Sequence, residues 1–203
     1  MLHLLSLVFL DEPSDDFLRT IKDADLFDQW PLPQAPPQIE SGMKQIRLFL
    51  GRHDSAEEIK ADFTRLFLGP GRIPAPPYES VFRSEEHLMF EKEMLDVRKV
   101  YRGYSMGIQN KNSVPDDHAG FELQFAALLC LKIAESLKKN NLDDAAVIQN
   151  DLLRFMDAHL LKWLPDFFSR VKDSSSTGYF RGMADFAHGV IRSLRHACSE
   201  PHL

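Results

Sequence analysis

The residues best equipped for chemistry are Pro115, Asp116, Asp117 and His118. They place two carboxylates and an imidazole where a polar loop enters an apolar helix, Ala119 to Leu137. A proline loses nothing in a first helical turn, where its missing N–H would have no intrahelical partner. In that turn Asp116 and Asp117 meet the partial positive charge of the helix start. His118 shares a face with Phe121, Glu122 and Phe125 at helical spacing, which turns it toward the core side. Two readings stay open on these residues alone: an ordinary capped helix start with a satisfied histidine, or a polar binding site. His118 and Glu122 offer one pair of metal ligands at i and i+4. No second spaced cluster completes a shell, so no metal is expected. The sequence has no GxSxG, no HExxH and no phosphate loop ending in Gly-Lys-Ser/Thr. Gly69-Pro70-Gly71-Arg72 is too short and too proline-rich to cradle a nucleotide. Neither catalysis nor a cofactor is expected.

A second unusual stretch is Leu66 to Phe82, LFLGPGRIPAPPYESVF. Gly69-Pro70-Gly71 stops the preceding helix, and four prolines keep the segment to Phe82 extended or turned. Around these two segments helical periodicity dominates and strand alternation is scarce. Ser14 is placed to cap a helix carrying Phe17 and Ile21. Trp30 to Pro37 reads as a proline-rich connection, and Ser41 to Leu50 as a short helix ended near Gly51. Ser55-x-x-Glu58 is a capping box opening a helix with Ile59, Phe63, Leu66 and Phe67 on one stripe. Ser84 is placed to cap a long helix to about Tyr104, with a stop by Gly107 and a polar loop over 107–115. Asn140-Asn141 marks a turn and Asp143 the cap of the next helix. Pro165 opens a further helical turn, and Asp173 to Thr177 is a polar loop. A final helix carries Tyr179, Met183, Phe186, Val190 and Leu194. The expectation is an all-α fold of about eight or more helices in a single globular domain over 1–203.

Length and composition agree. A chain of 203 residues with 44% hydrophobic and 27% charged residues can bury one substantial core. Cys130 and Cys198 lack CxxC spacing and read as buried free thiols in a reducing compartment. MLHLLSLVFL lacks the basic flank and cleavage site of a secretion signal, and no apolar run reaches the ~20 residues that span a bilayer. A cytoplasmic location without membrane insertion is expected. Net charge is −6, of which residues 11–28 contribute −5. An acidic balance without a basic stripe argues against nucleic acid and suits a basic peptide; a solvated acidic surface is the other reading of it.

Taken together, the motifs resemble those of the TorD/DmsD/NarJ-type redox-enzyme maturation chaperones, closest to the dimethyl-sulfoxide-reductase branch. The family's aromatic-x-x-Leu-Phe motif is matched by Phe63-Thr64-Arg65-Leu66-Phe67. The Gly69-Pro70 turn follows, then Pro76-Pro77-Tyr78-Glu79-Ser80-Val81-Phe82. The Glu-Pro-x-Asp-His signature is matched by Pro115, Asp116, Asp117 and His118. Gln29-Trp30-Pro31-Leu32-Pro33 and His159-Leu160-Leu161-Lys162-Trp163 are weaker echoes. Val114 stands where the signature has glutamate, and Tyr78 where the dimethyl-sulfoxide-reductase chaperone has tryptophan. Met1-Leu2-His3-Leu4 falls inside what is the first helix of the family.

The resemblance implies an all-helical chaperone that is not an enzyme. It would bind the twin-arginine signal peptide and apo catalytic subunit of an exported molybdoenzyme, delaying export until cofactor is inserted. Such a leader pairs two arginines with an apolar stretch, so its receptor needs carboxylates beside an aromatic-lined groove. The residues expected to bind it are Tyr78, Ser80, Phe82, Pro115, Asp116, Asp117 and His118. Asp117, with Asp116 nearby, would meet guanidinium; Tyr78, Phe82 and Pro115 would line the groove. His118 would accept a peptide hydrogen bond or orient Asp117. Tyr78 and Phe82 have a purely structural alternative, pinning the proline-rich segment to the core. A monomer is expected, a domain-swapped dimer being the other arrangement. The competing functional reading is a helical regulatory adaptor that binds a folded protein.

Overall fold

In the computed structural model, the described residues are 1–27, 30, 35–52, 56–83, 92–107 and 114–199. Every regular element among them is helical: α1 (Leu2–Leu10), α2 (Asp15–Asp23), α3 (Pro37–Leu50), α4 (Glu57–Phe63), α5 (Glu79–Arg83), α6 (Lys92–Gly103), α7 (Ala119–Lys138), α8 (Leu142–Phe155), α9 (Leu161–Ser174) and α10 (Gly178–Ser199). The wider π-helical turns Thr64–Leu68 and Met156–Leu160 continue α4 and join α8 to α9. The all-α class and the helix count are borne out. Contacts divide the chain into two compact units, and the chain passes between them at four points. No single cut in the sequence therefore separates them.

One unit contains Met1–Leu10, Pro77–Leu164 and Leu194–Leu203. Its centre is α7, packed against α1 and α8. Phe125, Leu129, Leu152 and Phe155 supply a core of fully or almost fully buried side chains. The start of α7 runs unusually close to α1. A Cβ on Gly120 would lie 2.7 Å from Leu10 Cβ and 2.9 Å from the Ser6 carbonyl oxygen, so only glycine fits there. Just past the α7 cap Lys139, Asn140, with a φ of 58°, is the left-handed stop expected of that turn.

The other unit contains Asp11–Pro76 and Pro165–Ser193. Here α3 and α10 cross in contact, a Cβ on Gly42 meeting the Gly182 carbonyl at 2.6 Å. Asp62, at the end of α4, is almost fully buried. It accepts hydrogen bonds from the Ser175 hydroxyl (2.7 Å), the Ser176 amide (3.1 Å) and the Thr177 amide (2.9 Å) and hydroxyl (2.7 Å). Burial alone would raise its pKa, but these bonds and Arg65 hold it down to about 2. Ser175 and Thr177 are thus buried, and the polar stretch around them is ordered by one carboxylate, which its composition does not announce.

Several boundaries differ from the sequence reading. α3 starts at Pro37 rather than Ser41, because proline fits its first turn. α8 is capped by Asn141, whose side chain accepts from the Asp144 amide, and not by Asp143. Pro165 lies inside α9 rather than opening it. Glu79–Arg83 is a helix within the segment expected to be extended or turned, and α6 stops at Gly103 before Gly107. Ser14 does cap α2, accepting from the Phe17 amide at 3.1 Å. Cys130 and Cys198 are free but half-buried rather than buried. The Ser55 cap, the Ser84 cap, most of the 107–115 loop and the 29–33 echo apart from Trp30 lie outside the described residues.

Candidate functional site

The two motif segments are clasped together. Tyr78 and His118 form an isolated antiparallel bridge. The Glu79 amide donates to the Asp117 carbonyl (3.0 Å) and the Ala119 amide to the Pro77 carbonyl (2.9 Å). Pro76 and Pro77 hold the approach to this bridge in an extended conformation, and Pro77, lacking an N–H, joins it through its carbonyl alone. Across the bridge the Tyr78 and His118 rings stand edge to face, centroids 5.2 Å apart.

Residues 115–118 make a turn before the helix, closed by the His118 amide donating to the Pro115 carbonyl at 3.3 Å. The expectation that Pro115 and the two aspartates occupy the first turn of α7 is corrected: α7 begins at Ala119, with His118 as its cap. The imidazole Nδ1 accepts from the Gly120 amide at 3.0 Å. That bond requires a lone pair on Nδ1 and so assigns the ring proton to Nε2. Burial holds the His118 pKa down to about 3, so the ring is neutral. Its acceptor nitrogen is already used and is closed to a peptide donor.

The four signature residues are all buried, Asp117 completely. Asp117 Oδ2 accepts from the Ser80 amide at 2.9 Å, capping the short helix α5. Its other oxygen, Oδ1, and the nearby Ser80 hydroxyl are buried without a partner in hydrogen-bonding geometry. Burial raises the Asp117 pKa, opposed by Ser80 and reinforced by the charge of Glu79. Asp116 is ion-paired with Arg98, and its carbonyl accepts from the Tyr101 hydroxyl at 3.2 Å. The two neighbouring aspartates therefore differ: one is compensated by a cation, the other holds an unpaired oxygen. Tyr78 and Phe82 are half-buried, Tyr78 close enough to Asp117 for that charge to add to the effect of burial in raising its pKa. Phe82 lies against Trp163, ring centroids 5.4 Å apart.

Sequence reasoning did not assign Glu79 and Glu122 to the site. Both are completely buried. Glu79 Oε2 bonds His159 Nδ1 at 2.8 Å, and its Oε1 is paired with Arg83. Glu122 Oε2 accepts from the Trp163 indole at 3.0 Å. Its Oε1 meets no donor, and the group beside the carboxyl is the Glu79 carboxylate. Burial first, and the Glu79 charge second, push the Glu122 pKa well up. Two carboxyls thus neighbour each other in the buried interior, and that surrounding favours the neutral form of Glu122. A glutamate four residues into an apolar helix, beside Phe121 and Phe125, was the available signal. The described residues hold no group of His, Cys, Asp and Glu that could hold a metal ion.

The family model described as nitrate reductase delta subunit matches residues 32–169 of the chain. The chaperone protein TorD of Vibrio cholerae serotype O1 (strain ATCC 39541) is 30% identical over 149 residues, 73% of this chain and 66% of that protein. A Tat proofreading chaperone DmsD of Haemophilus influenzae is 23% identical over 193 residues, 90% of this chain and 82% of that protein. A crystal structure from Archaeoglobus fulgidus, described as a redox enzyme maturation protein, superposes with a TM-score of 0.51 at 20% identity. The match covers 98% of this chain and 92% of the other, and the two share the fold. The chain belongs to the nitrate reductase delta subunit family, that of the TorD/NarJ-type redox-enzyme maturation chaperones.

Proposed function

We propose that the protein binds the twin-arginine leader and the apo catalytic subunit of an exported molybdoenzyme in the cytoplasm, and that it holds the precursor back from export until cofactor is in place. It acts by binding and catalyses no reaction. No helix among the described residues is long and apolar enough to cross a membrane.

The observation that carries this reading is the pairing of Tyr78 and Phe82 with one uncompensated oxygen, Asp117 Oδ1, inside a single clasped segment pair. The half-buried rings suit the apolar part of a leader. The unpaired carboxylate oxygen suits a guanidinium, which brings several donors in a planar fork. Asp116 contributes through Arg98 and the turn that it fixes. Ser80, Pro115 and His118 hold the segment pair in register. Because Asp117 is buried, arginine reaches it only through a local opening of the segment pair, to which docking is therefore coupled.

Co-purification tests this function. A molybdoenzyme precursor should be retained with its leader and lost when the leader is deleted. Retention of an unrelated folded protein instead would favour a regulatory adaptor.

A further inference from the structure

The leader-binding reading leaves the echo His159…Trp163 without a role, and the structure ties both of its residues to the site. His159 sits in the π-helical turn Met156–Leu160 and is almost fully buried. Trp163 follows one turn later and is completely buried. From this one helical edge, His159 reaches Glu79 and Trp163 reaches Glu122. Glu79 and Glu122 neighbour each other, so these four side chains form one buried cluster. Arg83 adds a further tie, donating to the Ala158 carbonyl at 3.0 Å while paired with Glu79.

The His159 and Arg83 ties fasten α5, which is only five residues long. An isolated helix of that length does not hold itself together. Its conformation must come from outside: the Asp117 cap at its start and the Glu79 carboxylate on its inner side. Tyr78 and Phe82 flank Glu79 on the same stretch. Their placement therefore depends on what Glu79 is fastened to.

We infer that Glu79 and His159 form a latch that holds α5, and that they are positioning residues for Tyr78 and Phe82 in leader binding. The latch rests on the proposed leader site for its purpose, though not for its existence. Leader docking opens α5 against this latch, and the latch returns the segment to register when the leader departs.

The atom in contact, Nδ1, suggests a selective test. Asparagine places its amide nitrogen near the position of a histidine Nδ1, whereas alanine places nothing there. Amide exchange of α5 and calorimetric titration with a synthetic twin-arginine leader peptide would be measured for the full chain, for His159→Asn and for His159→Ala. All would be held at a temperature where circular dichroism shows each one folded. The latch requires faster exchange of the Ser80 to Arg83 amides in His159→Ala, with near-normal exchange in His159→Asn. Leader affinity should fall by about tenfold in the alanine variant, the scale of one charge-assisted bond, and by no more than about threefold in the asparagine variant. Unchanged α5 exchange in His159→Ala overturns the latch, and so does equal affinity of the unsubstituted protein and that variant. If the unsubstituted protein binds no leader peptide, the leader reading fails; faster α5 exchange in the alanine variant then still supports the latch, and unchanged exchange still refutes it.

Discussion

Tyr78 and His118 face each other across a bridge flanked by two backbone hydrogen bonds, with their rings at 78°. One member of this pair is half-exposed; the other is neutral, buried and fixed to the start of α7. On the proposed reading, recognition uses the tyrosine ring, and the histidine is the fixed surface behind it.

Tyr78→Ala tests that division. The ring is half-buried, so its removal should cost about 1–2 kcal/mol of stability, below the ~3–5 kcal/mol of a fully buried aromatic. Leader affinity should fall by more than ~1 kcal/mol, as for an interface anchor. Thermal unfolding and calorimetric titration of the same sample separate the two quantities. A large fall in melting temperature with normal peptide affinity would assign the ring to the core.

Asp117→Asn removes charge while keeping an oxygen for the Ser80 amide. Because burial raises the pKa of this carboxyl, its charged form is a burden on the fold, and the variant should melt no lower than the unsubstituted protein. Leader binding should nevertheless weaken by about 1.5–3 kcal/mol. Unchanged affinity in the folded variant would remove Asp117 from arginine recognition.

Glu122→Gln probes the raised pKa of this buried carboxyl. The folded-state pKa of Glu122 is raised, so its contribution to stability is full below the unfolded value of about 4.5 and is lost as pH rises through the folded value. Glutamine mimics the protonated acid and should flatten that decline with rising pH. Urea unfolding midpoints from about pH 4.5 upward measure it, and parallel curves for the two proteins would contradict a raised Glu122 pKa.

Asp62 carries the opposite sign. Its folded-state pKa is lowered from 3.8 to about 2, so its stabilisation is complete above the unfolded value and vanishes as pH falls through that interval. Asp62→Ala orphans the Ser176 and Thr177 amides and should cost about 2–4 kcal/mol at neutral pH. Toward the folded-state value the difference from the unsubstituted protein should shrink, which acid titration by circular dichroism would show.

Much of this was legible in the sequence because local rules decided it. Ser14 caps α2 as its type requires, and α10 follows its periodicity, with Tyr179, Met183 and Phe186 recurring on a buried face. The motif segments that the resemblance grouped are joined in space by backbone hydrogen bonds. What local rules could not reveal are partners distant in the chain. Nothing near Asp62 marks it as the acceptor for residues 175–177, and nothing near Glu79 marks His159. The same limit explains the signature carboxylates. Their types suit an exposed guanidinium receptor, yet Arg98 and the Ser80 amide draw both inward.

The most direct measurement is calorimetric titration of the full chain with a twin-arginine leader peptide and with the same peptide carrying alanine at both arginines. Arginine recognition at Asp117 requires saturable binding of the first, and affinity for the second lower by at least about tenfold, since a charge-assisted bond is worth about 1.5–3 kcal/mol. Equal affinity for the two peptides, or no binding of either across a panel of molybdoenzyme leaders, would contradict it.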